Sequence, residues 1–218
     1  MGQMIEQTLV WIDTDIAIGH KSGHFAYCDV DDAYALTAML RSVEIDVVGI
    51  SSTLGNTDDI DVSTSTARHF MKNYGPNSAQ VYKGAMSRLP EDPSKAPSNE
   101  AVEALAKTLE NDRVTILAIG AATNIAILLL KYPQLGQFID EIVLVAGRRD
   151  IEQHFFSGKW QLKPFRDLNF EFDPIAFKVL LESQIKLTLI PFEACHHVWI
   201  RPEDLIDIGK SNRVGKYL

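Results

Sequence analysis

Short apolar runs alternate along the chain with amphipathic stretches whose apolar residues recur at helical spacing. The apolar runs predict buried strands at 8–12, 45–52, 79–84, 113–120, 140–147 and 185–192. The amphipathic stretches predict helices at 31–42, 59–75, 99–112, 122–132 and 173–183. Because continuous apolar strands alternate with helices, we predict an α/β fold, a doubly wound, mostly parallel sheet with helices on both faces.

Capping residues support two of the predicted helix starts. Asp173 followed by Pro174 is typical of an N-cap and the first helical position. Ser98 or Asn99 is expected to cap the third helix, since either side chain can accept from a free backbone N–H. A long irregular stretch is expected at 148–172.

Composition narrows the class of protein. The chain has 218 residues, enough for one core, and we expect a single domain over 1–218. Its net charge of -8 argues against nucleic-acid binding, and no apolar run is long enough to span a bilayer. The start lacks signal-peptide features, and 2 cysteines are too few for a disulfide framework. We therefore expect a cytoplasmic protein that binds neither nucleic acid nor membranes.

Polar residues follow several predicted strands at the point where each strand ends. Asp13 and Asp15 follow the first strand, Asn56 follows the second, and Glu193 follows the last. In open parallel sheets ligands bind outside the carboxyl ends of the strands. These residues therefore predict a site at one edge of the sheet.

Four aspartates form two close pairs, Asp13 with Asp15 and Asp31 with Asp32. One interpretation is that Asp31 or Asp32 caps a helix, where a carboxylate meets the positive end of the helix dipole. That interpretation accounts for a single aspartate but not for a cluster of four. A cluster of carboxylates needs a cation or else raised pKa values. All-oxygen ligands suit Ca²⁺ or Mg²⁺ rather than zinc, so we expect a hard cation.

Four ordered groups of motifs accompany these aspartates. They are "DTD" with "DVDDAYAL", then "GISSTLGN", "ILAIGAATNIAILL" and "DLNFEFDPIAF". In this order they resemble the inosine-uridine-preferring nucleoside hydrolases, and the resemblance extends from Trp11 to about His197. It implies a Ca²⁺-dependent hydrolase acting on the N-glycosidic bond of a ribonucleoside or a related ribosyl compound.

The resemblance also implies roles for individual residues. Asp15 and Asp32 would be carboxylate ligands of Ca²⁺, with the main-chain carbonyl of Ile119 as a third ligand, and Asp15 would also be the general base. The residues implied to bind the substrate are Asp31, Asn56, Gln161, Asp167 and Asn169. The residues implied to orient the metal ligands and the substrate-binding groups, without being ligands themselves, are Asp13, Glu193 and His196. Members of the family are often oligomers, so we expect a homodimer or homotetramer.

The sequence departs from the family pattern in three places. Residues 16–30, here called the insert, separate the two aspartate pairs and are expected to form a loop or flap. Gln161 and Asp167 stand where the family has asparagine and glutamate, which favours a shifted substrate. After Trp199 nothing resembles the late His-Asp pair that usually provides a metal ligand and a group near the leaving base. We therefore expect a domain that is short at its C-terminal end.

Other interpretations remain open. His20, His24 and Cys28 recur at four-residue spacing and could bind zinc, although nearby glycines disfavour a helix there. A Mg²⁺-dependent phosphatase would use Asp13 as a nucleophile after the first strand. A catalytically inactive Ca²⁺/ribosyl-binding domain is a third alternative. A dinucleotide-binding fold is disfavoured, since no G-x-G-x-x-G follows a strand.

Two arginines suggest a further property of the substrate. Arg148 and Arg149 follow the fifth predicted strand and could meet an anionic ribosyl compound, although adjacent loop arginines are more often solvated.

Overall fold

A computed structural model describes residues 7–21, 27–76, 78–150, 152–154, 166–195 and 197–218. Its strands are β1 Thr8–Thr14, β2 Ile45–Ser52, β3 Val81–Tyr82, β4 Val114–Ala118, β5 Ile139–Val145 and β6 Leu187–Ile190. Its helices before β6 are α1 Asp31–Arg41, α2 Ile60–Tyr74, α3 Glu100–Leu109, α4 Thr123–Lys131, α5 Leu168–Phe172 and α6 Pro174–Glu182. Those after β6 are α7 Phe192–Cys195, α8 Pro202–Ser211 and α9 Arg213–Tyr217.

The six strands form one sheet in the order β3-β2-β1-β4-β5-β6, and every neighbouring pair is parallel. The chain leaves β1 in one direction to build β2 and β3, then returns to the other side of β1 to build β4. The strand order therefore reverses between β1 and β4, which is where open α/β sheets bind their ligands. The predicted α/β class is confirmed.

Helices cover both faces of the sheet, as predicted. Side chains alternate between the faces along each strand, so Trp11 joins one apolar cluster and Ile12 joins the other. The Trp11 cluster includes buried residues of α3, α4 and α6, and the Ile12 cluster includes buried residues of α1, α2 and α9. Side chains on both faces are buried, which is why the strands read as continuous apolar runs.

Some local expectations need correction. Asn99, rather than Ser98, caps α3, because its side chain accepts from the Val102 N–H at 3.1 Å. The stretch from 148 to 172 is not irregular throughout, since it contains α5. The cap of α1 is Val30, which contributes no side-chain hydrogen bond, so the capping interpretation is wrong for Asp31 and Asp32.

The last two helices were not predicted. In α9, Val214 is 7% exposed and packs into the Ile12 cluster. The ring of Tyr217 lies 5.1 Å from that of Tyr74 and 6.4 Å from that of Phe70, both on α2. Residues of α9 thus contribute to the core on one face. Among the described residues, no helix has both the length and the apolar character that crossing a membrane requires.

Candidate active site

A cavity of about 190 Å³ lies at the carboxyl ends of the strands, where the strand order reverses. Its lining includes six of the residues singled out by sequence, namely Asp15, Asp31, Asp32, Asn56, Ile119 and Asn169. They come from the ends of β1, β2 and β4 and from the starts of α1 and α5. Only the parallel arrangement of these strands brings such distant residues together.

Asp15 follows directly on β1 and is 5% exposed. Its carboxylate accepts the Asn56 N–H at 2.8 Å. A Cβ at Gly55, where φ is +150°, would lie 2.2 Å from Asp15 Oδ2, and a Cβ at Gly120 would lie 3.0 Å from Asp15 Cγ. The carboxylate therefore fills a space between two backbone segments that only glycine leaves open.

Asp32 is fixed to the end of β1. Its carboxylate accepts from the Thr14 hydroxyl and, at 3.0 Å, from the Asp15 N–H. Asp32 is 5% exposed, whereas Asp31 beside it is exposed. The first turn of α1 thus presents one buried and one open carboxylate to the same cavity.

The electrostatics of this cluster favour a cation. Burial and then the nearby charge of Asp31 raise the pKa of Asp15 from 3.8 to about 7, against the lowering effect of its hydrogen bonds. Burial, followed by the charges of Asp15 and Asp31, raises the pKa of Asp32 well above its ordinary value. A positive ion would remove this penalty, because it favours both ionised carboxylates.

The oxygen donors fit a hard cation such as Ca²⁺ or Mg²⁺, since they are carboxylates and backbone carbonyls. The set is incomplete, however. Within the part of the chain that the structure describes, no three His, Cys, Asp or Glu side chains already form a metal-binding cluster. Oxygens of the substrate or of water would have to supply the remaining ligands.

Asn169 connects the ends of β4 and β5. Its amide donates to the Ile119 carbonyl at 3.0 Å and to the Val145 carbonyl at 2.8 Å. A carbonyl oxygen has two lone pairs, so the Ile119 carbonyl keeps the capacity to accept a second partner. The position of Ile119 in the lining is compatible with the role implied for its carbonyl.

Asn56 holds the C-terminal end of the insert. Its side chain donates to the Asp29 carbonyl at 3.1 Å and accepts from the Asp29 N–H at 3.1 Å, while its own carbonyl accepts from the Cys28 thiol at 3.2 Å. Its amide side chain is thus bound to the protein backbone at the cavity wall.

Asp167 does not line the cavity, in contrast to the position implied for a sugar-binding residue. It is 6% exposed and caps α5, accepting from the Phe170 N–H at 3.2 Å and from the Gly147 N–H. Both carboxylate oxygens are therefore used to fix the loop after β5. Gln161 and His196 lie outside the described residues.

The two arginines after β5 are each bound to other groups of the protein. The Arg149 N–H donates to Glu193 Oε1 at 2.7 Å. The Arg148 guanidinium donates to the Gln153 carbonyl at 2.9 Å and lies 3.8 Å from a carboxylate oxygen of Glu171. Arg148 is thus paired within the protein and is not a solvated loop arginine.

Asp13 lies beneath the cavity and has no exposed surface. Its Oδ1 accepts from the Ser51 hydroxyl and from the Asn124 amide at 2.8 Å, whereas its Oδ2 has no hydrogen-bond partner among the described residues. Burial raises its pKa to about 7, and the charge of Asp15 adds to this. A carboxylate so enclosed has no path to a phosphoryl group, which argues against the phosphatase interpretation.

Sequence reasoning missed Asn124. Its amide donates to Asp13 and, at 3.0 Å, to the Ser52 carbonyl, and its oxygen accepts the Ala85 N–H at 2.9 Å. It therefore joins the end of β1, the end of β2 and the segment after β3. A signal was present, because Asn124 is a polar residue in the first turn of a helix and is followed by the apolar run 125–130.

The described ends of the insert do not support the zinc interpretation. Lys21 and Tyr27 pair as an antiparallel bridge, and the Cys28 N–H donates to the His20 carbonyl at 2.9 Å. His20 and Cys28 thus lie beside this bridge, here called the neck of the insert, and not on one helix face. His24 lies outside the described residues.

Comparisons with known proteins give consistent matches. A family model described as "Inosine-uridine preferring nucleoside hydrolase" matches residues 10–218. The chain is similar to the pyrimidine-specific ribonucleoside hydrolase RihA of Citrobacter koseri, with 31% identity over 197 residues covering 80% of this chain and 60% of that protein. It therefore spans about 60% of the length of such relatives.

Solved structures share the fold. A plant nucleoside hydrolase superposes with a TM-score of 0.74 at 22% identity, covering 96% of this chain and 68% of that one. A purine-preferring ribonucleoside hydrolase from Gardnerella vaginalis gives a TM-score of 0.75 at 21% identity, covering 96% and 69%.

Proposed function

The chain belongs to the inosine-uridine preferring nucleoside hydrolase family, and from this premise we propose that it hydrolyses the N-glycosidic bond of a ribonucleoside or a related ribosyl compound. The observation that carries the proposal is the acidic cavity, in which Asp15, Asp31 and Asp32 converge at the reversal of strand order. Cleavage of such a bond builds positive charge on the sugar, and three nearby carboxylates would stabilise that charge.

The family is one of metal-dependent hydrolases, and we propose Ca²⁺ as the ion. Asp15, Asp32 and the carbonyl of Ile119 would hold it. When bound, the ion would supply positive charge that fixes the ribose hydroxyls and makes a nearby water more acidic.

The protein's own groups would carry the proton transfer. Water adds to the anomeric carbon as the bond to the base nitrogen breaks, and the bonding electron pair leaves with the base. Asp15 would take the proton of that water, since it is fixed by the Asn56 N–H and faces the cavity. Asp31, the exposed carboxylate of the pair, would bind ribose hydroxyls, and Asn56 and Asn169 would border the sugar.

Asp13, enclosed beneath Asp15, would act as a positioning residue. Its contacts with Ser51 and Asn124 hold the end of β1 in place. Glu193, which is bound to the Arg149 N–H, would fix the loop after β5 in the same way. Asp167 would hold the loop after β5 in place through the Gly147 N–H. A direct contact of Gln161 with the sugar stays part of the proposal.

The test is release of reducing sugar from a panel of ribonucleosides, with Ca²⁺ and again with a chelator. We expect chelator-sensitive release that is lost in Asp15→Asn and kept in Asp46→Asn, an exposed aspartate at the start of β2. Ca²⁺ binding without release from any nucleoside would instead support an inactive Ca²⁺/ribosyl-binding domain. Release of phosphate from model esters would support a phosphatase.

The proposal also covers the organisation of the protein. Residues 1–218 would act as one hydrolase-like domain with the insert 16–30 beside its site, in the cytoplasm. A homodimer or homotetramer would show as a multiple of 24.3 kDa by light scattering after size exclusion.

A further inference from the structure

A fourth carboxylate, that of Asp29, lines the acidic cavity together with Asp15, Asp31 and Asp32. Asp29 belongs to the insert, the stretch in which the sequence departs from the family pattern. The roles proposed above for the other three carboxylates leave Asp29 without one. Because Asp29 lines the cavity and is also exposed, it lies where the cavity opens to solvent. A group bound among these aspartates is therefore within reach of its charge.

The backbone of Asp29 is held in place at the cavity wall. Its N–H donates to the side-chain oxygen of Asn56 at 3.1 Å, and its carbonyl accepts from the side-chain amide of Asn56 at 3.1 Å. The Asn56 N–H donates to the Asp15 carboxylate at 2.8 Å. A single residue thus links Asp29 to Asp15, so the position of the Asp29 backbone relative to the site is fixed.

The acidic cavity carries more negative charge than one metal ion can neutralise. Partial burial, followed by the charges of Asp31 and Asp15, raises the pKa of Asp29 from 3.8 to about 7, so these carboxylates repel one another. A divalent ion held by Asp15 and Asp32 would balance two negative charges and leave those of Asp29 and Asp31. The described lining contains no lysine, arginine or histidine side chain. A positive charge on the substrate would therefore be stabilised here.

The remaining lining favours a flat aromatic ring over an aliphatic amine. Ala35, Val145 and Leu168 contribute apolar side chains, and Leu168 is 51% exposed. An aromatic cation spreads its charge over a ring with two apolar faces, so it can cover such side chains while it stays near the carboxylates. An ammonium group is compact and strongly hydrated, and would gain little from the apolar wall. The chemistry that fits both parts of the lining is an aromatic ring with a positive charge.

We propose that the site prefers ribosides whose leaving base is a positively charged aromatic ring, such as a pyridinium, and that Asp29 determines this preference. The inference rests on the proposed hydrolase function. The water oxygen bonds to the anomeric carbon as the bond to the ring nitrogen breaks, and the electron pair of that bond neutralises the ring. One proton of the water passes to Asp15 and then to solvent, so the base leaves without receiving a proton. The positive charge moves from the ring towards the sugar and stays near the carboxylates throughout.

The test measures ribose release from nicotinamide riboside, whose base is a pyridinium, and from uridine, whose base is neutral. In Asp29→Asn we expect kcat/KM for the pyridinium riboside to fall about tenfold, mainly through a higher KM, because its charge is present before the bond breaks. With uridine kcat/KM should stay within about twofold. Asp29→Glu keeps the charge and should lose less than Asp29→Asn on the pyridinium riboside. Asp46→Asn, an exposed aspartate that does not line the cavity, is the control and should leave both rates unchanged.

Three results would overturn the inference while leaving the hydrolase function intact. They are a loss in Asp29→Asn that is as large on uridine as on the pyridinium riboside, no loss on the pyridinium riboside, or release of ribose from uridine alone by the unaltered chain. If the unaltered chain releases ribose from neither substrate, nor from any other ribonucleoside of the panel, with Ca²⁺ present, the proposed function itself fails and the inference fails with it.

Discussion

The affinity for Ca²⁺ should fall about 30-fold when the pH is lowered from 8 to 5.5. Burial and then the charge of Asp31 raise the pKa of Asp15 from 3.8 to about 7. Below that pH a proton occupies the carboxylate that the ion needs, and each pH unit weakens the apparent affinity about tenfold per displaced proton. With a pKa of about 7, the affinity for Ca²⁺ at pH 5.5 is about 30-fold lower than the affinity at pH 8. The raised pKa of Asp32 makes the affinity depend still more steeply on pH.

Calorimetric titration of metal-free protein with CaCl₂ at pH 5.5, 6.5, 7.5 and 8 measures this dependence. Repeating each titration in two buffers of different ionisation enthalpy counts the protons released on binding. Asp15→Asn should bind weakly at every pH, and Asp46→Asn should behave like the unaltered chain. A constant affinity from pH 5.5 to 8 would refute the reasoning, because carboxylates with ordinary pKa values stay ionised over that whole range.

Protonation of Asp15 also changes the free energy of unfolding when no cation is bound. The pKa of Asp15 is higher in the folded state, about 7, than its ordinary value of 3.8. Between about pH 4 and pH 7 the folded state therefore binds more protons than the unfolded state, so the free energy of unfolding falls as the pH rises through this window. At about 1.4 kcal/mol per pKa unit, this group accounts for a loss of about 4 kcal/mol. Urea denaturation with a chelator present should show that the free energy of unfolding of the unaltered chain falls with rising pH relative to that of Asp15→Asn. If it instead rises relative to that of the variant, the prediction is wrong.

Three substitutions test how the site and the core are built. Gly55→Ala places a Cβ 2.2 Å from Asp15 Oδ2 and should lower kcat/KM about 100-fold. Asn124→Ala leaves Asp13 with the Ser51 hydroxyl as its one described donor and removes the acceptor of the Ala85 N–H, and urea denaturation should show a loss of about 3 kcal/mol. Val214→Ala removes two methyl groups from the Ile12 cluster and should cost about 2 kcal/mol in the same assay.

Each of these variants has a control of the same residue type or character. Gly19 also has a positive φ, but a Cβ there meets nothing within 4 Å, so Gly19→Ala should keep its activity. Asn111 and Ile206 are both exposed, and their alanine variants should change the free energy of unfolding by less than about 0.5 kcal/mol. If a control variant loses as much activity or as much free energy of unfolding as the variant it is matched to, the contact removed in that variant is not the cause of the loss.

The sequence by itself determined the layers of the fold and the residues that line most of the acidic cavity. Strand and helix types follow from the alternation of apolar runs and amphipathic stretches, which each segment carries locally. Asp15 and Asn56 could be identified because parallel strands all end at one edge, and Asp31 and Asp32 because they form an aspartate pair within a motif that resembles the family's. Asp173 caps α6 as predicted, since a cap acts within a few residues.

Only the tertiary structure decided what each polar side chain contacts. Asp167 accepts from Gly147, 20 residues away, and so does not face the cavity. Asn124 supports Asp13 across 111 residues of sequence, a contact that no local pattern encodes. The physical reason is that a buried carboxylate or amide must find its hydrogen-bond partners among whatever the packed strands bring near. Helical and strand periodicity fix which face a residue occupies, while the packing of distant segments fixes its partner.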